Sequence, residues 1–130
     1  MIDICNELYT LLVNALASYD TNIKTSSVYT NTPSSYPFVS FEEIDNSEYL
    51  LTKDLCGNEN HAQVDYEINI WTKSPNKKSR GDKILQVVDT LMKEYNFDRM
   101  TKNNFQSSDE TTYRIVIRYS GIVSKEHKVY

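Results

Sequence analysis

HAQVDYEINIWTKSPNKKSRGDKILQVVDTLMKEYNF, His61 to Phe97, changes its hydrophobic period once along its length. Its first part alternates strictly, with Ala62, Val64, Tyr66, Ile68 and Ile70 on one side and Gln63, Asp65, Glu67, Asn69 and Trp71 on the other. Successive strand side chains point to opposite faces, so this is a strand buried on one face. Beyond Lys73-Ser74-Pro75-Asn76 the period lengthens, and Ile84, Val87, Val88, Leu91, Met92 and Tyr95 recur at helical spacing. A half-buried strand thus feeds an amphipathic helix, and both cover one core. Neither places a nucleophile beside a base, a glycine-rich phosphate loop or a set of metal ligands.

Outward from this unit, Ile4, Leu8, Leu11, Leu12, Ala15 and Leu16 predict a first helix over Ile2 to Tyr19, ended by Asp20-Thr21-Asn22. Ser27 to Tyr29 reads as a short edge strand, and Asn31 to Ser35 as a loop, because proline, asparagine and serine favour turns. Pro37 introduces a strand over Phe38 to Ile44 that extends through Glu48 and Tyr49. The polar segment Lys53 to Asn60, with Gly57 in it, turns the chain back. The second helix starts either at Pro75, where a missing amide is tolerated, or at a Ser79 cap with Asp82 three residues on, and it ends near Tyr95-Asn96. Two strands follow, Arg99 to Gln106 and Thr112 to Val123, joined by a turn at Ser107 to Glu110. Tyr113, Ile115, Ile117 and Tyr119 share one face of the last strand.

Short connections between strands favour antiparallel pairing, and two helices with one apolar stripe each must cover the same sheet face. The expected fold is α+β, a mainly antiparallel sheet of four to five strands with two α-helices on one face, in a single domain over residues 1–130. The opposite face carries Asp65, Glu67 and Asn69 on one strand and Arg114 and Arg118 on another. If those strands are neighbours, each pair of opposite charges contributes about 0.2 to 1 kcal/mol.

Composition narrows the functional class. The chain has 130 residues and a net charge of −4, with a pI near 5.1; that balance argues against general nucleic-acid binding. No apolar run approaches the roughly 20 residues of a membrane helix. Met1-Ile2-Asp3 lacks the basic patch of a secretion signal, so the chain is expected to stay in the cytoplasm. Two cysteines, Cys5 and Cys56, make no disulfide framework there, and with His61 and His127 they match no compact zinc spacing. Glu42, Glu43, Asp45 and Glu48 supply carboxylates for acid and base roles, but nothing in the sequence fixes a histidine or lysine beside them. Arg80-Gly81-Asp82 spells an adhesion tripeptide and reads as a helix start.

Ten tyrosines are a surplus. Tyr66, Tyr113 and Tyr119 fall on apolar faces and are expected in the core. Tyr36, Tyr49 and Trp71 fall at strand ends or on a polar face and suit an interface. Lys73, Lys77, Lys78, Arg80 and Lys83 form a local basic cluster, which reads either as a solvated helix entry or as a complement to the acidic segments Glu42 to Glu48 and Asp54 to Glu59 of a neighbouring copy. The candidate interface residues are therefore Glu42, Glu43, Glu48, Tyr49, Trp71, Lys77, Lys78 and Arg80.

Three segments carry a resemblance: Tyr36-Pro37-Phe38-Val39-Ser40-Phe41-Glu42-Glu43-Ile44-Asp45-Asn46, then Glu59 through Trp71, then Thr111-Thr112-Tyr113-Arg114-Ile115 with Arg118-Tyr119. Together they resemble the tail-terminator, or tail-completion, proteins of tailed bacteriophages and of phage-tail-like particles from Gram-positive hosts, over nearly the whole chain. The resemblance implies a structural protein without catalysis or cofactor. Its members form a six-membered ring on the last ring of the tail tube, stop its growth and present the surface that joins the head. Implied partners are further copies of the chain, the tail tube protein and the head-tail connector proteins, with DNA only passing through the lumen and no membrane. The implied location is the host cytoplasm during assembly and then the neck end of the tail. Rival readings are a head-side neck protein of the same joint, or a small-molecule-binding or hydrolytic enzyme whose pocket gathers the acidic strand end with His61.

Overall fold

The computed structural model describes residues 1–28, 33, 35–106 and 111–130. Two helices, α1 (Cys5–Tyr19) and α2 (Lys77–Glu94), cover one face of a sheet built from β1 (Lys24–Ser26), β2 (Phe38–Glu48), β3 (His61–Lys73), β4 (Asp98–Gln106) and β5 (Thr112–Ser124). The strand order is β1-β2-β3-β5-β4. Every neighbouring pair is antiparallel except β1 and β2, which run parallel. The α+β reading from patterning is the observed fold.

The alternating strand is the axis of the sheet. Ile70, Ile68 and Tyr66 lie opposite Val39, Phe41 and Glu43 of β2, and opposite Ile115, Ile117 and Tyr119 of β5. Leu8, Leu12 and Leu16 from α1 and Ile84, Val88 and Met92 from α2 close over this layer and are buried with it. Inside, Phe41 stacks on Tyr66 at 4.9 Å between centroids, and Phe97 meets Tyr66 edge-on at 5.6 Å. Such ring pairs add roughly 1 kcal/mol each beyond their buried area.

Local chemistry sets the element ends. Asp3 Oδ1 accepts the Cys5 amide at 2.9 Å, so α1 opens at Cys5 rather than at the expected Ile2. α2 begins between its two expected starts: Asn76, in the left-handed conformation, is the cap residue and contributes no side-chain capping bond. Thr72 Oγ1 donates to the Lys77 carbonyl at 2.6 Å, pinning the helix entry to the end of β3. At the other end Asn96 is left-handed (φ 65°), the Asn96 amide donates to the Lys93 carbonyl and the Phe97 amide to that of Met92. This paired return is the Schellman arrangement, with Met92 and Phe97 as its apolar contact.

The first strand also differs from expectation. It occupies Lys24–Ser26 instead of 27–29, and Tyr29 lies outside the described residues. Most of the expected loop at 31–35 and the whole turn at 107–110 lie outside them as well. Among the described residues, no helix is long and apolar enough to cross a membrane.

Candidate assembly surface

The face of the sheet away from the helices carries the polar half of the alternation. The register aligns Glu42 with Glu67 and Arg118, and Asp45 with Asp65 and Ser120. Four carboxylates thus share a band with one guanidinium among the described residues. Arg118 is bonded to Glu67 Oε1 at 3.2 Å, the pairing that the sequence allowed if β3 and β5 were neighbours. Asp65 Oδ1 is buried with no hydrogen-bond partner among the described residues. Burial, then the hydrogen bond and charge of Glu67, raises the Glu42 carboxyl above its ordinary range.

That direction gives a stability prediction. A carboxyl whose folded value is raised contributes stability below its unfolded value, and that stability is lost as pH rises through the folded value. Glu42→Gln removes the loss. The variant should be more stable than the parent at pH 7 by about 0.5 kcal/mol, the scale of a cross-strand like-charge contact, and the difference should vanish at pH 3.5. Thermal unfolding across this range measures it; a variant no more stable at pH 7 would remove the like-charge reading.

At one end of the same face stands an aromatic and cationic array. Arg114 donates through Nε (3.1 Å) and Nη2 (2.8 Å) to Asn69 Oδ1. Its guanidinium carbon lies 5.2 Å from the Trp71 ring centroid and 5.3 Å from that of Phe105. Trp71 is on the expected face but only 3% exposed, so it is a packing platform for Arg114 and not the exposed aromatic that its position suggested. Neighbouring Lys73 Nζ lies 5.5 Å from the Tyr36 ring centroid.

The basic cluster lies on the helix layer, past the end of β3. Lys78 and Lys83 are exposed, Lys77 and Arg80 half-buried. No acidic residue occupies the first turn of α2. Cations near a helix N-terminus oppose the macrodipole and slightly destabilise the helix; the two positive fields add instead. Arg80-Gly81-Asp82 lies within α2, where Asp82 Oδ1 accepts a hydrogen bond from the Tyr113 hydroxyl at 3.2 Å.

The expected interface residues are thereby split. Glu42 joins the acidic band, and Lys77, Lys78 and Arg80 the basic entry. Glu43 turns to the helix side, where Asn46 Nδ2 donates to its Oε1 at 3.2 Å. Glu48 is paired with Lys53 at 2.8 Å near the hairpin end, and half-buried Tyr49 begins the turn there. His61, whose Nδ1 lies 2.9 Å from Thr52 Oγ1, is on the opposite sheet face from Glu43 by register, so these two side chains are not brought to one pocket. Cys5 lies half-buried on α1, where burial and the nearby Glu43 and Asp3 carboxylates push its thiol up to about 11; Cys56 is exposed on the hairpin turn.

Sequence reasoning missed the leucines of that turn. Leu50, Leu51 and Leu55 are 71%, 84% and 108% exposed. They follow no periodicity, and only their presence within a polar turn could have marked them.

No family model matches this chain, and no curated protein matches it. Among solved structures it is similar to one described as the structure of bacteriophage SPP1 gp17 protein, with 17% identity, 89% of each chain covered and a TM-score of 0.42.

Proposed function

We propose that this chain is a structural protein of a bacteriophage or phage-tail-like particle, which caps the tail tube as a ring, ends its polymerisation and forms the head-joining surface. The three segments that resemble tail terminators support the class. One structural observation carries the assembly part: the acidic band and the basic helix entry lie on opposite layers of the molecule, with the sheet between them. A single copy cannot join its own two surfaces, whereas successive copies can, front to back. Such a heterologous contact closes into a ring when the rotation per copy divides a full turn. Charge complementarity then sets register and partner choice more than raw affinity.

Capping follows from asymmetry. One axial face of the ring matches the growing tube, the other does not present a tube-like end, and the next tube subunit finds no seat. The output is shape, with six copies as the expected closure and tail tube and connector proteins as axial neighbours.

The test is charge reversal. Lys77→Glu with Lys78→Glu should weaken ring formation at least tenfold and give overlong tails in particles assembled with the variant. Combining it with Glu42→Lys and Asp45→Lys should restore part of the assembly. Normal tail length in particles lacking the protein would overturn the capping role, and unchanged assembly of the charge-reversed chain would overturn the contact.

A further inference from the structure

We infer that the leucine-bearing end of the β2-β3 hairpin is a preformed plug that seats against the α2 entry of a second copy of this chain. The hairpin end is held in a defined shape. Asp54 Oδ1 accepts the amides of Cys56 (3.0 Å) and Asn58 (2.9 Å), and its Oδ2 accepts Asn58 Nδ2 at 3.1 Å. Asn60 Nδ2 donates to the Thr52 carbonyl at 2.6 Å. This network orders the backbone that carries Leu55, which stands fully in water, and Leu50 and Leu51 of the same hairpin end are exposed as well. A turn backbone ordered in advance loses little entropy on docking, and exposed leucines close together in sequence mark a contact surface.

The occupant follows from charge and position. Hydrogen bonds hold the Asp54 carboxyl below its ordinary range, so it remains ionised at the edge of the plug. A shallow depression on α2 is lined by Lys78, Ser79, Asp82, Lys83 and Gln86. Asp82 also lines it and accepts from the Tyr113 hydroxyl, so Lys78 and Lys83 leave the depression with a net positive charge to meet an acidic rim. β3 separates the two features: the plug precedes His61 and the depression follows Lys73, so 13 residues of strand, about 40 Å at 3.3 Å each, stand between them. The plug of one molecule therefore cannot reach its own depression.

Area adds a constraint. Three leucines bury roughly 300 Å² on docking, well short of about 800 Å² per partner in a stable interface. A second contact is needed, and the acidic band on the strands leading to the plug supplies it toward the same basic partner surface. The inference rests on the self-assembly reading above and names its contact.

The experiment uses the full chain carrying Cys5→Ala and Gln86→Cys, with native Cys56 as the second thiol, in assembled particles and in the concentrated purified protein. A bismaleimide should join Cys56 of one copy to position 86 of the next, giving a ladder of multimers that disappears with Cys56→Ser. Cross-linking of Cys56 to a different particle protein alone, or assembly without any ladder, would overturn the inference. Leu50→Ser, Leu51→Ser and Leu55→Ser together should weaken self-association at least tenfold by sedimentation with the circular dichroism spectrum unchanged; unweakened association would also overturn it. A ladder accompanied by normal tails in particles lacking the protein would support this contact while removing the capping role.

Discussion

Gly121→Ala is expected to lower the unfolding free energy by about 2 kcal/mol and the melting temperature by roughly 8 °C. A Cβ at this point of β5 would stand 2.6 Å from Phe97 Cδ1, 2.7 Å from Phe97 Cε1 and 3.2 Å from Val129 Cγ1. The first two distances are well inside contact range, and Phe97 cannot yield easily. It is 2% exposed, its ring packs on Tyr66, and its backbone closes the end of α2. Asn96 Nδ2 ties the same corner to the Val129 carbonyl at 3.1 Å.

Replacing glycine reduces the freedom of the unfolded chain, which favours alanine by somewhat under 1 kcal/mol. Overpacking typically costs 1 to 3 kcal/mol and is the larger effect here. A double-mutant cycle separates the two. Phe97→Ala alone removes a large core ring and should cost about 3 to 5 kcal/mol. Once the ring is gone Gly121→Ala should be neutral, so the pair should couple by at least about 1 kcal/mol. Additive losses in denaturant unfolding would show that Phe97 is not what excludes the side chain.

The same corner shows what patterning reveals. Alternation through His61–Lys73 identified the inner and outer face of β3, and Ile115, Ile117 and Tyr119 supplied the matching face of β5, because period two is a local property of the chain. Nothing local marks Gly121 as the place where Phe97 approaches. That contact joins elements distant in sequence, and glycine within a strand has several meanings. The helix entry was legible only to within a few residues, since Asn76 caps through backbone conformation and not through the side-chain chemistry that Ser79 suggested.

The candidate surface was legible in its charges and less so in its aromatics. Glu42 and the lysines of α2 were recognisable as opposite clusters, but their separation by the sheet follows from topology. Glu43 is adjacent to Glu42 and therefore faces the other way, a consequence of the pleat that a list of acidic residues conceals. The β2-β3 leucines escaped notice because an exposed apolar turn has no period to detect.

Arg114→Ala is expected to cost about 3 kcal/mol and to expose the chain's single tryptophan, shifting its emission to the red. Both hydrogen bonds to Asn69 Oδ1 come from this guanidinium. Asn69 is fully buried, and its Nδ2 already lacks a partner among the described residues. Stripping the acceptor as well leaves a buried amide without these bonds, a penalty of about 1 to 3 kcal/mol. Loss of the cation from between the Trp71 and Phe105 rings adds about 0.5 to 1 kcal/mol for each ring, with the two partly overlapping. Arg114→Lys should recover less than half of the loss, because an ammonium neither lies flat between two rings nor presents two donors in a fixed fork. Adding Asn69→Ala to Arg114→Ala should cost little more than Arg114→Ala alone, since the stranded amide is then absent. An unchanged melting temperature and emission maximum in Arg114→Ala would mean that the outer face does not depend on this cation. A double variant as destabilised as the sum of its parts would instead assign the cost to uncovering Trp71 rather than to Asn69.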